Sequence, residues 1–235
     1  MRIIFVFLIF TLLNQGYSQA QGTSKFQIWT DIDPSYNLSE KWRIGGDIGY
    51  RIATSNNSQT AYVRPVMGFK ANATFSLAAG IANFNSWDDG KSTKSEIRTF
   101  EFVVISWPNI IGFTFKHRIG MEQRWLYLPG YSLKDYVNRG RYYLELKSPK
   151  FTLFQLKAPF FAMANFEILR DFNNNELGRL ADHNRYTIGL GNHVTENFRA
   201  EVRFKLINIV DPLINSFISE ISVVRVRLYY RFAST

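Results

Sequence analysis

From Trp42 to Ile52 the side chains alternate. Trp42, Ile44, Gly46, Ile48, Tyr50 and Ile52 share one parity, and Arg43, Gly45, Asp47, Gly49 and Arg51 share the other. A strand sends successive side chains to opposite faces, so this segment reads as a strand with one apolar and one charged face. The same period of two recurs. Ala61, Val63, Pro65, Met67 and Phe69 oppose Tyr62, Arg64, Val66, Gly68 and Lys70. Phe113 to Met121 oppose Thr114, Lys116, Arg118, Gly120 and Glu122. Tyr142, Leu144 and Leu146 oppose Arg141, Tyr143, Glu145 and Lys147. Phe198 to Leu206 oppose Arg199, Glu201, Arg203 and Lys205, and Val224 to Phe232 oppose Arg225, Arg227, Tyr229 and Arg231. Residues 26–36, 74–85, 96–107, 159–170 and 183–191 supply five further candidates. No long amphipathic helix is readable, and no linker or composition shift divides the chain. The pattern predicts one all-β domain over residues 21–235.

The connections alternate as well. Residues 37–41, 71–73, 108–109 and 194–197 are short, whereas 86–95, 126–136, 171–182 and 209–219 are longer and mostly polar. Residues 148–158 break the alternation, being long and carrying Phe151, Leu153, Phe154 and Leu156. Strands of about ten residues suit a tilted membrane span better than a soluble sheet, whose strands average ~5–6. The expectation is a transmembrane antiparallel up-and-down β-barrel with short periplasmic turns and longer extracellular loops. Single-chain bacterial barrels have even strand numbers. The eleven segments therefore predict about twelve strands, with one hidden near residues 151–157, or ten if residues 26–36 are not a full wall strand. The competing architecture is a soluble periplasmic sandwich or lipid carrier, in which the apolar stripes would form a core and the arginines would meet solvent.

Residues 1–20 change the picture by placing the chain outside the cytoplasm. Arg2 precedes an apolar run from Ile3 to Leu13, followed by small residues at Gly16, Ser18 and Ala20. This is the layout of a cleaved signal peptide, and the run is too short to span a bilayer as a helix. The chain has no Cys, so disulfides do not stabilise it. Its 21 Phe and 12 Tyr favour strands. Trp107, Trp125 and Tyr127 fall at strand ends, where interfacial aromatic girdles form. The last alternating strand closes on Tyr230 and Phe232, the kind of ending that barrel-assembly machinery reads. The expected location is the outer membrane of a Gram-negative cell, and the expected partners are outer-membrane lipids and that machinery.

The segment Lys116-His117-Arg118-Ile119-Gly120-Met121-Glu122-Gln123-Arg124 resembles the "HRLRLEQR" strand of domain of unknown function 2490. Further matches follow in order: Trp29, Asn37-Leu38-Ser39-Glu40-Lys41-Trp42, Gly49-Tyr50-Arg51, Glu96-x-Arg98, Arg139-x-Arg141-Tyr142, Phe166-Glu167, and Asn184-Arg185 leading into Gly189-Leu190-Gly191. The resemblance implies an outer-membrane β-barrel and supplies no catalytic residues. The apolar stretch 151–156 departs from the polar turn usual in that family.

Candidate chemistry concentrates on the charged parity. Arg43, Asp47, Arg51, Arg64, Glu96, Arg98, Lys116, Arg118, Glu122, Arg124, Arg139, Arg141, Glu145, Glu167, Arg185, Glu201, Arg203 and Arg227 would all face the lumen. Enclosed charges are costly unless paired, and guanidinium groups grip carboxylates in a fork. One reading is a structural ion-pair network filling a small barrel. The other is a basic passage or pocket for an anionic solute, motivated by the excess of arginine over carboxylate. Metal and cofactor signals are lacking: the three histidines, His117, His183 and His193, show no ligand spacing. The composition of residues 171–176 falls short of a calcium loop. The basic residues alternate with carboxylates and build no nucleic-acid patch. The alternative function is an outer-membrane enzyme acting on lipid or envelope glycan, with His183 at the loop rim as its candidate base.

Overall fold

The computed structural model describes residues 25–54, 57–89, 91–129, 133–152, 158–172, 182–211 and 216–232. Residues 1–20, expected to be a signal peptide, lie outside these. Eleven strands form: β1 (Lys25–Asn37), β2 (Trp42–Ala53), β3 (Ser58–Lys70), β4 (Phe75–Asp88), β5 (Lys91–Ser106), β6 (Thr114–Tyr127), β7 (Leu133–Lys147), β8 (Phe160–Asp171), β9 (Asp182–His193), β10 (Phe198–Asp211) and β11 (Ser216–Phe232). Each pairs antiparallel with its sequence neighbours, and β1 closes on β11 to make one barrel. There is no second layer, so the sandwich arrangement does not occur.

The structure refines two expectations. Among the described residues the strands number eleven, close to the expected about twelve. The segment near 151–157 contributes only the isolated bridge Phe151↔Phe160 among the described residues, and β1 is a full wall strand. The odd count is accommodated because the closing pair is parallel, with Lys25 to Tyr36 in continuous register against Ile221 to Phe232. Secondly, much of the described part of the expected long loops is strand, while residues 173–181 and 212–215 lie outside the described residues. Residues 86–95 form a hairpin in which Asp88 pairs with Lys91, turned by Asp89 in a left-handed conformation (φ 48°). β6–β7 and β10–β11 likewise extend toward their connections. Polar composition reads as loop, but a strand rising beyond the apolar belt is polar on both faces.

The barrel has a turn end and a loop end. At the turn end three hairpins are closed the same way: Ser39, Asn72 and Thr195 each accept the backbone N–H three residues on, at 3.1, 2.8 and 3.0 Å. Such side-chain acceptors replace a missing ladder bond. At the loop end the ladders carry register shifts at Ser86/Trp87, Leu126/Tyr127 and Ile209/Val210, the bulges common at barrel rims.

The parity is consistent around the wall. Ile32, Ile48, Val63, Met67, Ile81, Ile119, Ile188 and Val202 are exposed on the outer face, whereas Asp31, Asp47, Glu96, Glu122, Arg139 and Glu201 are buried on the inner one. One polar track interrupts the outer face. Thr99 donates to Gln123 (2.7 Å), and Gln123 donates to Glu101 (2.9 Å). The wall is also broken at Pro34 and Pro65, which lack a donor. The β1–β2 ladder stops at Ile32↔Ile48 and resumes at Ser35↔Gly45, and between the two prolines Gly46 takes φ 139°. An apolar groove of about 620 Å³ lies there, between Ile44, Ile48, Val63, Met67 and Ile81.

Four glycines make room for inward rings on the neighbouring strand: Gly49 opposite Tyr62, Gly80 opposite Phe100, Gly120 opposite Phe102 and Gly191 opposite Phe161. A Cβ at any of the four would collide with the opposing ring. Gly68 differs, since its added Cβ would meet only ordinary contacts at 3.8 Å. Gly120→Ala should therefore destabilise the barrel by about 1–3 kcal/mol, the usual range for overpacking. Gly68→Ala should be neutral or slightly stabilising in the same urea titration. Equal effects at the two sites would remove the packing argument.

Candidate functional site

The enclosed face contains all eighteen sequence-predicted lumen residues, arranged as three ion-pair clusters and a set of cations held by other means. In the first cluster, on β1, β2, β3 and β11, Asp47 takes a bidentate fork from Arg64 at 2.6 and 2.7 Å and a further bond from Arg227 at 3.2 Å. Arg225 and Arg227 reach Asp31 at 2.5 and 2.8 Å, and Arg227 also binds Asp33 at 2.8 Å. This cluster bridges the parallel seam between β1 and β11.

The second cluster crosses β5 to β9. Glu96 is bound by Arg98 (2.8 Å) and Arg124. Glu122 is bound by Arg141 and approached by Arg98 at 3.7 Å. Glu167 accepts from Arg141, from Arg185 at 3.1 Å and from Arg118 at 3.4 Å. Arg139 pairs with Asp171. The third cluster lies toward the turn end, where Glu201 holds Arg199 (3.1 Å), Arg203 and the Tyr229 hydroxyl (3.0 Å). Beside it Glu145 meets Lys147 at 3.3 Å and accepts from Tyr143 at 2.8 Å.

Arg51 has no carboxylate partner among the described residues. Its guanidinium lies 4.1 Å from the Trp29 ring centroid, 4.7 Å from Tyr62 and 5.3 Å from Phe84. Lys205 is buried 5.1 Å from the Trp29 ring, again with no carboxylate partner in that set. Aromatic faces attract cations, more strongly when water is excluded, but they supply no negative charge.

Two cavities remain. The larger, about 550 Å³, extends to the turn end, where Arg43, Lys116, Glu196, Asn197, Arg199 and Arg231 line it. Its walls carry fifteen Lys and Arg against four carboxylates, Asp33, Glu145, Glu167 and Glu196. The smaller, about 200 Å³, sits toward the loop end. Arg51, Phe84, Arg98 and Arg185 line both, so they stand between them. Arg51 on its aromatic rings, Phe84, and the paired Arg98 and Arg185 thus divide the interior, and Arg43, Lys116 and Arg231 leave unpaired charge at the turn end.

His183 faces the smaller cavity together with Thr60 and Ser86. Its Nδ1 makes no hydrogen bond, and the Ser86 hydroxyl is engaged with Thr60 at 2.9 Å. No Ser–His pair therefore forms there. The Glu176 of the adjoining connection lies outside the described residues. His117 lies apart from the lumen charges, its Nδ1 2.8 Å from the Tyr142 hydroxyl. No group of three or more His, Cys, Asp or Glu among the described residues could hold a metal ion.

Asp31, Asp33, Arg225, Lys205, Lys147 and Arg199 belong to the enclosed network but were not singled out from sequence. For Arg225, Lys205, Lys147 and Arg199 the parity was present. For Asp31 and Asp33 the signal was the alternation Trp29-x-Asp31-x-Asp33, obscured by the following Pro34.

The family model described as protein of unknown function (DUF2490) matches residues 26–205. The chain belongs to this family. The DUF2490 match spans β1 through most of β10, and therefore all three clusters except the β11 arginines and Tyr229. No curated protein and no solved structure matches the chain.

Removing one member of an enclosed pair leaves the other charge uncompensated, at a cost of about 3–5 kcal/mol. Glu167 serves three arginines and is 4% exposed. Glu167→Gln should lower unfolding stability by that amount. Glu101→Gln, on the outer face, should leave it within about 0.5 kcal/mol, as surface changes usually do. A Glu167→Gln barrel as stable as the parent would show that the network is not neutralising enclosed charge.

Proposed function

We propose that this DUF2490 protein is an outer-membrane β-barrel that binds a multivalent anionic solute in a basic vestibule open to the periplasmic side, and that it is closed to ion flow at rest. The observation that carries the reading is the asymmetry of the interior. Of the fifteen cations on the vestibule lining, ten are held in ion pairs, and Arg43, Arg51, Lys116, Lys205 and Arg231 have no carboxylate partner among the described residues; Arg43, Lys116 and Arg231 of these lie at its turn end. A cavity of about 550 Å³ is within the range of small-molecule sites.

The membrane part of the reading rests on the outer face. Large apolar side chains are exposed around the wall while the arginines are enclosed, which in water would be costly on both counts. The rings of Trp42 and Phe69 lie tilted 4.7 Å apart at the turn end, and those of Tyr230 and Phe232 meet edge to face at 4.9 Å. Trp125 and Tyr136 pair at 5.4 Å toward the loop end. These positions suit interfacial girdles above and below an apolar belt. The turn end is assigned to the periplasm because the end of β11 lies there. The Thr99–Gln123–Glu101 track is tolerable because carboxylates on a lipid face cost less than Lys or Arg.

A structural role for the clusters and an anion-binding role for the vestibule are compatible, because Arg43, Lys116 and Arg231 stand outside the clusters and Arg199, paired with Glu201, also lines the vestibule. Purified protein in detergent should quench or shift a pyrene trisulfonate probe saturably. The affinity should fall with salt as screening shortens the reach of the vestibule charges. Arg43→Gln combined with Arg199→Gln should weaken binding about tenfold or more, on the usual magnitude of hydrogen bonds to charged groups. In planar bilayers the protein should give no steady conductance above background. Large ohmic steps would replace the closed vestibule with an open channel, and absence of any saturable probe binding would remove the solute.

A further inference from the structure

The smaller cavity is surrounded by donors that the protein itself does not satisfy. Arg51 Nε, Arg124 Nη1, His183 Nδ1 and Arg185 Nε are all buried and make no hydrogen bond. All four residues line the same space of about 200 Å³. They come from β2, β6 and β9, and the hydroxyls of Thr60 on β3 and Ser86 on β4 complete the ring.

The charge is equally one-sided. Among the described residues Glu96 is the only carboxylate on the lining, and both of its oxygens are engaged. Oε1 accepts from Arg98 and Arg124, and Oε2 accepts from Arg98 at 3.1 Å with Lys94 at 3.6 Å. Arg139 is committed to Asp171. Arg51 rests on aromatic rings, and Arg185 has its one carboxylate, Glu167, on the far side of the dividing layer, shared with Arg118 and Arg141. Buried, unpaired donors are expensive, and three guanidinium donors and one imidazole on residues that line one space define a place where an oxyanion would be stabilised.

We infer that this loop-end cavity is a second site, separate from the vestibule, that takes a single phosphoryl group. A tetrahedral oxyanion can accept from donors arriving from several sides of a barrel at once, whereas a planar carboxylate presents its acceptors in one plane. The volume holds an orthophosphate or a phosphomonoester head with a few waters, since each water occupies about 30 Å³. His183 joins as the tautomer carrying hydrogen on Nδ1. The assignment gives this residue a binding role, in place of the base role considered from sequence. Arg124 contributes Nη1 while its Nε stays on Glu96, so the carboxylate acts as a positioning group for the donor. The site does not depend on the vestibule's binding an anion, because the layer of Arg51, Phe84, Arg98 and Arg185 separates them.

The test is equilibrium dialysis of the detergent-solubilised full mature chain against radiolabelled inorganic phosphate, at low ionic strength and with excess trisulfonate filling the vestibule. One phosphate should bind per chain, saturably. His183→Ala should weaken it about tenfold or more, the usual effect of losing a hydrogen bond to a charged group. His183→Asn, which keeps a donor close to the Nδ1 position, should retain binding. Thr60→Val with Ser86→Ala provides a second variant that leaves every ion pair intact, and it should also weaken binding. Arg199→Gln in the vestibule should leave it unchanged. Displacement of bound phosphate by short-chain phosphatidic acid in the micelle would assign the group to a lipid head, and failure to displace it would assign free phosphate. Absence of saturable phosphate binding would overturn the site. So would binding lost on Arg199→Gln and kept on His183→Ala, which would assign all anion binding to the vestibule.

Discussion

An eleven-stranded barrel with inward-facing arginines on eight of its strands must neutralise those charges inside, because water reaches them poorly and each unpaired ion would cost several kcal/mol. Everything else in the interior follows from that constraint. Carboxylates sit where they can serve two or three guanidinium groups at once. Asp47 bridges β3 and β11, Glu122 bridges β5 and β7, and Glu167 reaches β6, β7 and β9. These side-chain bridges run around the barrel in the same direction as the backbone ladder, and they cross strands that are not hydrogen-bonded neighbours. Where carboxylates run out, aromatic faces take their place, as Trp29, Tyr62 and Phe84 do around Arg51.

The rings need space, and the sequence provides it with glycine directly across the ladder from Tyr62, Phe100, Phe102 and Phe161. The same economy of space closes the seam. Parallel pairing of β1 with β11 gives an odd strand count and brings Asp31 and Asp33 beside Arg225 and Arg227. The seam thus combines continuous backbone register with buried ion pairs. The cations without a carboxylate partner line the two cavities, and Arg51, Phe84, Arg98 and Arg185 stand between these spaces.

Much of this was legible in the chain. The period of two gave the faces of β2, β3, β6, β7, β10 and β11, and the charged parity named most of the enclosed network before any partner was known. The strand segments themselves counted eleven. The twelfth came from the rule of even numbers, which a parallel seam does not obey, and nothing local in β1 or β11 announces parallel pairing. Residues 86–95 read as loop because Ser, Asp, Gly and Lys dominate, yet the ladder continues through them to Asp88↔Lys91. The pairing of Glu96 with Arg124, or Glu167 with Arg141, joins residues 26–28 positions apart and depends on register, which single-strand periodicity does not contain. The cavities were illegible for the same reason: a void is a property of several strands together. His183 stood out from sequence, but as a base beside a serine. Its surroundings are arginines, which favour an anion over a nucleophile.

The most direct test of the whole account uses the absence of cysteine from the chain. Single cysteines introduced along β9 at positions 185 to 190 can carry spin labels in lipid vesicles, with collision against dissolved oxygen reporting contact with acyl chains. Labels at 186, 188 and 190 should be strongly oxygen-accessible. Those at 185, 187 and 189 should be shielded or should fail to react. Inverted alternation, or uniform exposure to water-soluble relaxants, would mean that the arginines are not enclosed behind a lipid-facing wall.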